Sequence, residues 1–286
     1  MSFDSTVADG VLQVARQQTR WLSTGWNGGF REAPAAYNVT VPDGWTRTDV
    51  SDYLRERRTR AGFERAGPGL LTGVEMRHAR GARRDAVVAY ATVGLSNPAV
   101  LPVESDCGDG ESRDRWSTDD GESRDQSPTD EGRSGDSPPS DGHVGTVNVI
   151  VCTTRQLTDA AAANLLAVAV EAKTTTLLSL AGFPGTTSDA VIVGSASGHA
   201  AASETTHTTD EATTRTTDSE STDTTDDAAT VFSGSATDVG SAARACVRDA
   251  VRASFQSRYA STDVPATVAD ADHGVVTDER ATVFEL

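Results

Sequence analysis

The most unusual chemical group in this sequence is Lys173, because it is the only lysine among 25 basic residues. It lies in the apolar stretch VEAKTTTLL, residues 170–178, two positions after Glu171. An ammonium differs from a guanidinium as a compact donor whose charge state can be tuned by burial. A chain that uses arginine at every other basic position therefore keeps lysine where that chemistry is required.

Glu171 and Lys173 also have an alternative interpretation as ordinary surface charges. A lone lysine is most often a surface cation, and an isolated glutamate on a helix is usually solvated. A helix advances about 100° per residue, so Lys173 lies about 200° around from Glu171 and the two cannot form an i, i+4 ion pair. They must serve different neighbours unless the helix ends or kinks near them.

Further polar candidates lie at strand ends and in loops. Asn27 and Gly28 in WNGGF form either a tight turn or a close approach to a ligand. Asn97 precedes a proline, which again indicates a turn or a site. Asn148 is a polar residue in a buried strand and is costly there unless it is hydrogen-bonded. Three more candidates are Asn164, on the helix face of Glu171, and Ser188 and Asp189 in the GTTSD loop, residues 185–189.

Hydrophobic periodicity predicts the elements that must position these residues. Helices are predicted over residues 7–15, 51–58, 158–180 and 239–255, and strands over 36–41, 146–153 and 190–195. A hairpin is predicted from strands at 70–79 and 86–95 with a turn at 80–85. Strand, long helix, strand is the βαβ pattern, so we expect a single α/β (α+β) domain with a mixed β-sheet packed with helices.

Two acidic segments are expected to be disordered insertions in that domain, at residues 102–143 and 197–228. The stretch 104–141 carries a net charge of −9 and 199–228 carries −7, out of −17 for the whole chain. Both stretches contain few apolar side chains, so burial cannot offset the entropy of ordering them. Recruitment of a basic partner is the less favoured alternative, since charge runs are usually solvated. Acidic, arginine-rich usage is typical of adaptation to high salt.

Composition also excludes several functional classes. Cys107, Cys152 and Cys246 show neither disulfide nor CxxC metal-site spacing. The sequence shows no targeting peptide and no apolar span for a membrane, which predicts a soluble cytoplasmic protein. Nine arginines between positions 55 and 84 could suggest nucleic-acid binding, but acidic residues are mixed among them and no binding motif is present.

Five short motifs together resemble the CbiZ family, the adenosylcobinamide amidohydrolases of archaeal corrinoid salvage. They are NGG at 27–29, GTVN at 145–148, VEAK at 170–173, GTTSD at 185–189 and SGSATDVG at 233–240. The most specific part is GTVN followed by EAK at the family spacing. The family more often has TEAK and GTGTD, so Val170, Thr187 and Ser188 are departures. The resemblance covers most of the chain outside the two insertions.

This resemblance implies hydrolysis of the amide that joins the aminopropanol arm of adenosylcobinamide to the corrin ring. It implies no protein cofactor, because the cobalt belongs to the corrinoid. In our hypothesis Glu171 is the general base, Lys173 or the amide of Asn148 stabilises the oxyanion, and Asp189 orients a partner or protonates the amine. A non-catalytic corrinoid carrier is the alternative. We expect no nucleic acid or membrane partner, and a homo-oligomer is left open.

Overall fold

The computed structural model describes residues 2–103, 145–197 and 228–285. The strands are β1 (Asp4–Ala8), β2 (Val11–Ala15), β3 (Thr19–Ser23), β4 (Gly29–Glu32), β5 (Ala35–Thr40), β6 (Gly69–Thr72), β7 (Arg80–Arg84), β8 (Val87–Val93), β9 (Ala99–Val100), β10 (Val147–Gln156), β11 (Ala190–Ala196) and β12 (Val275–Val276). The helices are α1 (Val50–Arg60), α2 (Asp159–Ala181) and α3 (Asp238–Arg258). The two predicted insertions lie almost entirely outside the described residues, so their disorder stays a prediction.

A six-stranded sheet in the order β4-β3-β11-β10-β8-β7 forms the centre of the molecule. β10 and β11 run parallel and are joined by α2, which confirms the predicted βαβ unit. Val149, Val151 and Val193 pack against α2 and α3 on one face of this sheet. Ile150 and Ile192 point to the other face, as the two-residue period of a strand requires.

A second sheet, in the order β1-β2-β5-β6, packs on that other face. Leu12, Val14 and Leu70 supply its side of the apolar layer between the two sheets. α1 covers the outer face of this second sheet through Tyr53 and Leu54. The described residues thus form a four-layer α/β domain, with α1, the small sheet, the large sheet and the α2–α3 pair in that order. The predicted fold class is confirmed.

The helix predicted over residues 7–15 is wrong, because this segment is the β1–β2 hairpin. Asp9 and Gly10 form its two-residue turn with φ angles of 44° and 70°. Asp-Gly is a strong hairpin signal, since both central residues of a type I′ turn need positive φ. Four apolar residues at helical spacing fitted either structure, and the turn residues decide between them.

The hairpin predicted from residues 70–79 and 86–95 is also wrong. β6 belongs to the second sheet, where it pairs in parallel with β5. β8 belongs to the large sheet, where it pairs with β7. The predicted turn at 80–85 is therefore mostly strand, and Asp85 with a φ of 51° supplies the turn. β7 is an edge strand, where exposed arginines blunt pairing with other chains. Its composition resembles that of a loop for this reason.

Candidate functional site

Several strand ends and the loops that extend them meet at one edge of the two sheets. Gly145 and Thr146 precede β10, Asp189 precedes β11, and Asn97 lies just beyond β8. Backbone bonds hold these loops together: Gly94 N donates to Thr146 O (3.1 Å), and Thr187 N donates to Asn97 O (3.2 Å). The candidate residues thus gather at the amino ends of the parallel strands. Open α/β sheets more often bind ligands at the carboxyl ends.

Lys173 and Asp189 form a buried ion pair at this edge. Lys173 is 5% exposed and reaches from α2 toward the start of β11. α2 is continuous from Asp159 to Ala181, so the lysine belongs to an unbroken helix. Gly185 lies against the pair, because a Cβ at that position would be 2.9 Å from Lys173 Nζ. The only lysine of the chain is therefore a buried, paired group and not a surface cation.

Both carboxylate oxygens of Asp189 are fully occupied. Oδ1 accepts from the backbone N–H of Val147 (2.8 Å) and from the hydroxyl of Thr186. Oδ2 accepts from Lys173 Nζ and from the backbone N–H of Thr186 (3.1 Å). An ionised carboxylate has about four lone-pair sites, and all are used here. Asp189 therefore orients Lys173 and ties the 185–189 loop to β10.

Glu171 is not brought to this pair. Its side chain is 55% exposed and forms an ion pair with Arg244 of α3. Asn164, on the same side of α2, accepts from Ser233 N (3.2 Å), and Ser233 Oγ donates to Ala161 O (2.6 Å). These contacts fasten residues 233–235, which precede α3 in the chain, to α2. The structure thus separates Glu171 and Asn164 from Lys173, as their positions around the helix require.

A cavity of about 420 Å³ opens between the edges of the two sheets. Its walls are mostly apolar, and its polar side is formed by the hydroxyls of Thr146 and Ser188, which hydrogen-bond each other at 2.6 Å. The lining residues are Gly25, Trp26, Val41, Trp45, Val50, Gly69, Leu70, Leu71, Thr72, Gly73, Thr146, Ser188 and Ala190. Apolar concavities with a few polar groups are the usual form of small-molecule sites.

The NGG motif shapes one wall of this cavity. Asn27 adopts a φ of 48°, and its amide donates to Ser51 Oγ (3.3 Å) at the start of α1. A Cβ on Gly28 would clash with the backbone oxygen of Ser23. The motif is therefore a tight turn, and Trp26, the residue just before it, lines the cavity.

The other predicted binding residues support the loops around this cavity. Asn97 donates through Nδ2 to Thr187 Oγ1 (2.6 Å), while its buried Oδ1 has no hydrogen-bond partner among the described residues. Ser188 is the one predicted binding side chain that lines the cavity directly.

Asn148 joins the two sheets beneath the cavity. Its Nδ2 donates to Asn38 Oδ1 (2.9 Å) and to Leu71 O (2.8 Å), and Asn38 Nδ2 donates to Thr92 Oγ1 (2.9 Å). Asn148 is 1% exposed, and its Oδ1 has no partner within the described part of the chain. The predicted need for hydrogen bonds is met by a polar ladder between the layers.

Sequence reasoning missed both tryptophans of the cavity and Thr146. Aromatic residues make up only 5% of the chain, so Trp26 and Trp45 within 20 residues were a usable signal. The partner strand β6 could not be recognised as a cavity wall, because the predicted hairpin placed it in the wrong sheet.

Neither Cys152 nor the His78–Ser257 contact provides an activated nucleophile. Burial raises the pKa of Cys152 well above its usual range, so this residue stays a thiol in the core. His78 Nδ1 lies 3.0 Å from Ser257 Oγ, but Nε2 accepts from Arg77 Nε (3.2 Å). A neutral ring that accepts at Nε2 carries its proton on Nδ1, so it cannot accept the hydroxyl proton of Ser257.

A family model described as adenosylcobinamide amidohydrolase, CbiZ, matches residues 2–216. The chain belongs to this family. It is 46% identical over 193 residues to an adenosylcobinamide amidohydrolase of Halobacterium salinarum, covering 67% of this chain and 72% of that protein. It is 27% identical over 173 residues to one of Methanosarcina mazei, covering 60% and 67%. No solved structure matches the chain.

The range matched by the adenosylcobinamide amidohydrolase model includes the candidate site. It contains the cavity, Lys173 and Asp189, whereas α3 and the segment after it lie beyond residue 216. The Halobacterium relative fits the expected salt adaptation of the chain.

Residues 2–103, 145–197 and 228–285 contain neither a metal-binding cluster nor a membrane-spanning helix. In these ranges no group of three or more His, Cys, Asp or Glu side chains is arranged to hold a metal ion. No helix there combines the length and apolar character needed to cross a membrane.

Proposed function

We propose that this protein hydrolyses the amide between the aminopropanol arm and the corrin ring of adenosylcobinamide, giving adenosylcobyric acid for cobalamin salvage. Membership of the amidohydrolase family supports this proposal. The structural observation that carries it is the buried Lys173–Asp189 pair together with a cavity suited to a small molecule, which is lined by Ser188 and Ala190 on either side of Asp189. No comparison supports the alternative of a non-catalytic carrier.

Lys173 is the proposed donor to the oxyanion. Attack of water on the amide carbonyl places a negative charge on its oxygen, and a fixed donor stabilises that charge. An ammonium has three N–H donors, and within the described residues Lys173 Nζ has one partner, Asp189. Two donors are therefore left for the substrate. Asp189 fixes the direction of the ammonium and, with its oxygens occupied, has the role of a positioning residue.

Water supplies the oxygen of the new carboxylate, and its two protons pass to the amide nitrogen, so that the C–N bond breaks and aminopropanol leaves as an ammonium. Glu171 has no part in this proposal, because it lies on another side of α2 beside Arg244. The cobalt is carried by the corrinoid, and no resident cofactor is included.

The proposal is tested by incubating the purified chain in concentrated salt with adenosylcobinamide and analysing the products by mass spectrometry. We expect aminopropanol and adenosylcobyric acid in equal amounts from the wild type and neither from Lys173→Met. Glu171→Gln, which alters an exposed charge on the same helix, is the matched control. Binding of the corrinoid without release of aminopropanol would overturn the proposal in favour of a carrier.

A further inference from the structure

Two tryptophans from different loops face the cavity between the sheets. Trp26 comes from the turn between β3 and β4, and Trp45 comes from the loop between β5 and α1. Trp45 is fixed by packing against Tyr53 of α1, with ring centres 5.4 Å apart. Trp26 is 52% exposed although it lines the cavity. A partly open wall of indole rings is suited to stacking against a flat aromatic group.

The indole N–H of Trp45 is buried and has no hydrogen-bond partner among the described residues. The other two described tryptophans are satisfied: Trp21 Nε1 donates to Ala33 O (2.8 Å), and Trp26 Nε1 donates to Ser51 Oγ (2.9 Å). A buried donor without an acceptor is costly. Trp45 therefore has an unused donor next to a cavity whose other walls are mostly apolar, and a small rotation of the indole would bring this buried N–H to a ligand. A ligand with an aromatic face and an acceptor nitrogen meets both requirements.

We propose that this cavity binds the adenine of the substrate's axial adenosyl group. The inference rests on the proposed function, which supplies the three parts of the substrate to choose from. The corrin ring carries amide side chains above and below its plane, which an apolar cavity would leave unsatisfied. The aminopropanol arm is aliphatic and has no face to stack. Adenine is flat, and its ring nitrogens accept hydrogen bonds.

The size of the cavity agrees with this choice of occupant. At about 420 Å³, it lies near the lower end of the range for sites that enclose small ligands. That volume suits one nucleoside-sized group. The corrin ring then lies outside the mouth, next to the strand ends that carry Thr146 and Ser188 and, on the helix side, Lys173.

The proposal is tested by comparing kcat/KM for adenosylcobinamide and for methylcobinamide, which lacks the adenosyl group. Trp45→Phe keeps an aromatic ring beside Tyr53 but removes the pyrrole part of the indole together with its N–H, so we expect kcat/KM for the adenosyl form to fall by at least about 3- to 10-fold, the equivalent of one hydrogen bond. Trp45→Ala and Trp26→Ala are expected to lower it by about 5- to 150-fold, the range of one base-stacking contact. Each variant should lower kcat/KM for methylcobinamide by much less than it lowers kcat/KM for adenosylcobinamide.

Phe30→Ala is the matched control, because Phe30 is an exposed aromatic residue (42%) that does not line the cavity. It should leave the ratio between the two substrates unchanged. Equal losses on both substrates in the tryptophan variants would overturn the assignment of the cavity while leaving hydrolysis intact.

Binding of 5′-deoxyadenosine tests the cavity independently of hydrolysis. The proposal expects it to quench the tryptophan fluorescence of the wild type and to bind far more weakly to Trp45→Ala. If the wild type releases no aminopropanol but this difference persists, the proposed function fails and the adenine site stands. If the wild type and Trp45→Ala bind the probe equally, the adenine site fails.

Discussion

Lys173 of α2 forms a buried ion pair with Asp189 at the start of β11. The pair crosses the βαβ unit, so it fastens the helix to the loop that precedes the second parallel strand. Removal of one partner from a buried pair leaves an uncompensated charge, which typically costs about 3–5 kcal/mol. The pair is thus both a structural tie and the means by which one ammonium is aimed at the strand ends.

Lys173→Arg should lower kcat/KM for adenosylcobinamide by roughly 100- to 1000-fold, the usual cost of losing an oxyanion donor. The space beside Gly185 is too small for a guanidinium, since even a Cβ there would lie 2.9 Å from Lys173 Nζ. Product release measured by mass spectrometry checks this. Arg244→Lys, at an exposed position, is the control and should stay near the wild-type rate. Full hydrolysis by Lys173→Arg would remove the lysine from the scheme.

Glu171→Gln should retain hydrolysis within about twofold. The Glu171–Arg244 pair is solvent-exposed, and such pairs contribute about 0–1 kcal/mol to stability. Asp189→Asn is the informative companion, because a neutral amide of the same size cannot accept from all four donors that surround the carboxylate. We expect that variant to lose activity. A folded Glu171→Gln protein without activity would restore the glutamate as the general base.

The sequence singled out some polar residues of this site but not the walls of its cavity. Lys173 was recognisable from composition, and its separation from Glu171 followed from helix geometry alone. Its pairing with Asp189 was not predictable, because a bond across 16 positions depends on how α2 returns to β11. The second sheet was not predicted, because the apolar spacing in residues 7–15 fits both a helix and a hairpin. Trp45 was missed because it lies in a loop without periodicity.

Asn148→Ala should lower the free energy of unfolding by about 2 kcal/mol. It leaves Leu71 O and Asn38 Oδ1 without their donor, and each unsatisfied buried group costs about 1–3 kcal/mol, offset in part by relaxation. Asn148→Asp should cost more, since it turns an oxygen toward two acceptors and buries a charge. Denaturant unfolding in concentrated salt measures both. Asn164→Ala, at a half-buried position, is the control and should cost less.

A double-mutant cycle tests the ladder itself. If Asn38 and Asn148 act as one network, the loss in Asn38→Ala/Asn148→Ala should be smaller than the sum of the two single losses by about 0.5 kcal/mol or more. Strict additivity would show that the two amides stabilise the sheets separately.

Tyr259 should make the protein less stable in alkaline solution. Its hydroxyl accepts from Leu95 N (2.8 Å), and burial raises its pKa above the ordinary value of 10.0, against smaller lowering effects of that hydrogen bond and of Arg258. The unfolded chain then loses the phenol proton at a lower pH than the folded chain. Stability from this group is therefore complete below about pH 10 and declines as the pH rises toward the folded pKa.

Unfolding by guanidinium between pH 8 and pH 11 measures this effect. Burial also raises the pKa of Tyr37 and Tyr90, so the wild type should lose stability above pH 10 through all three groups. Tyr259→Phe lacks one of them and should show a shallower decline, although it is less stable at pH 8 by about 1 kcal/mol because Leu95 N loses its acceptor. Equal slopes in the two proteins would mean that the phenol of Tyr259 ionises as freely in the folded chain as in the unfolded one.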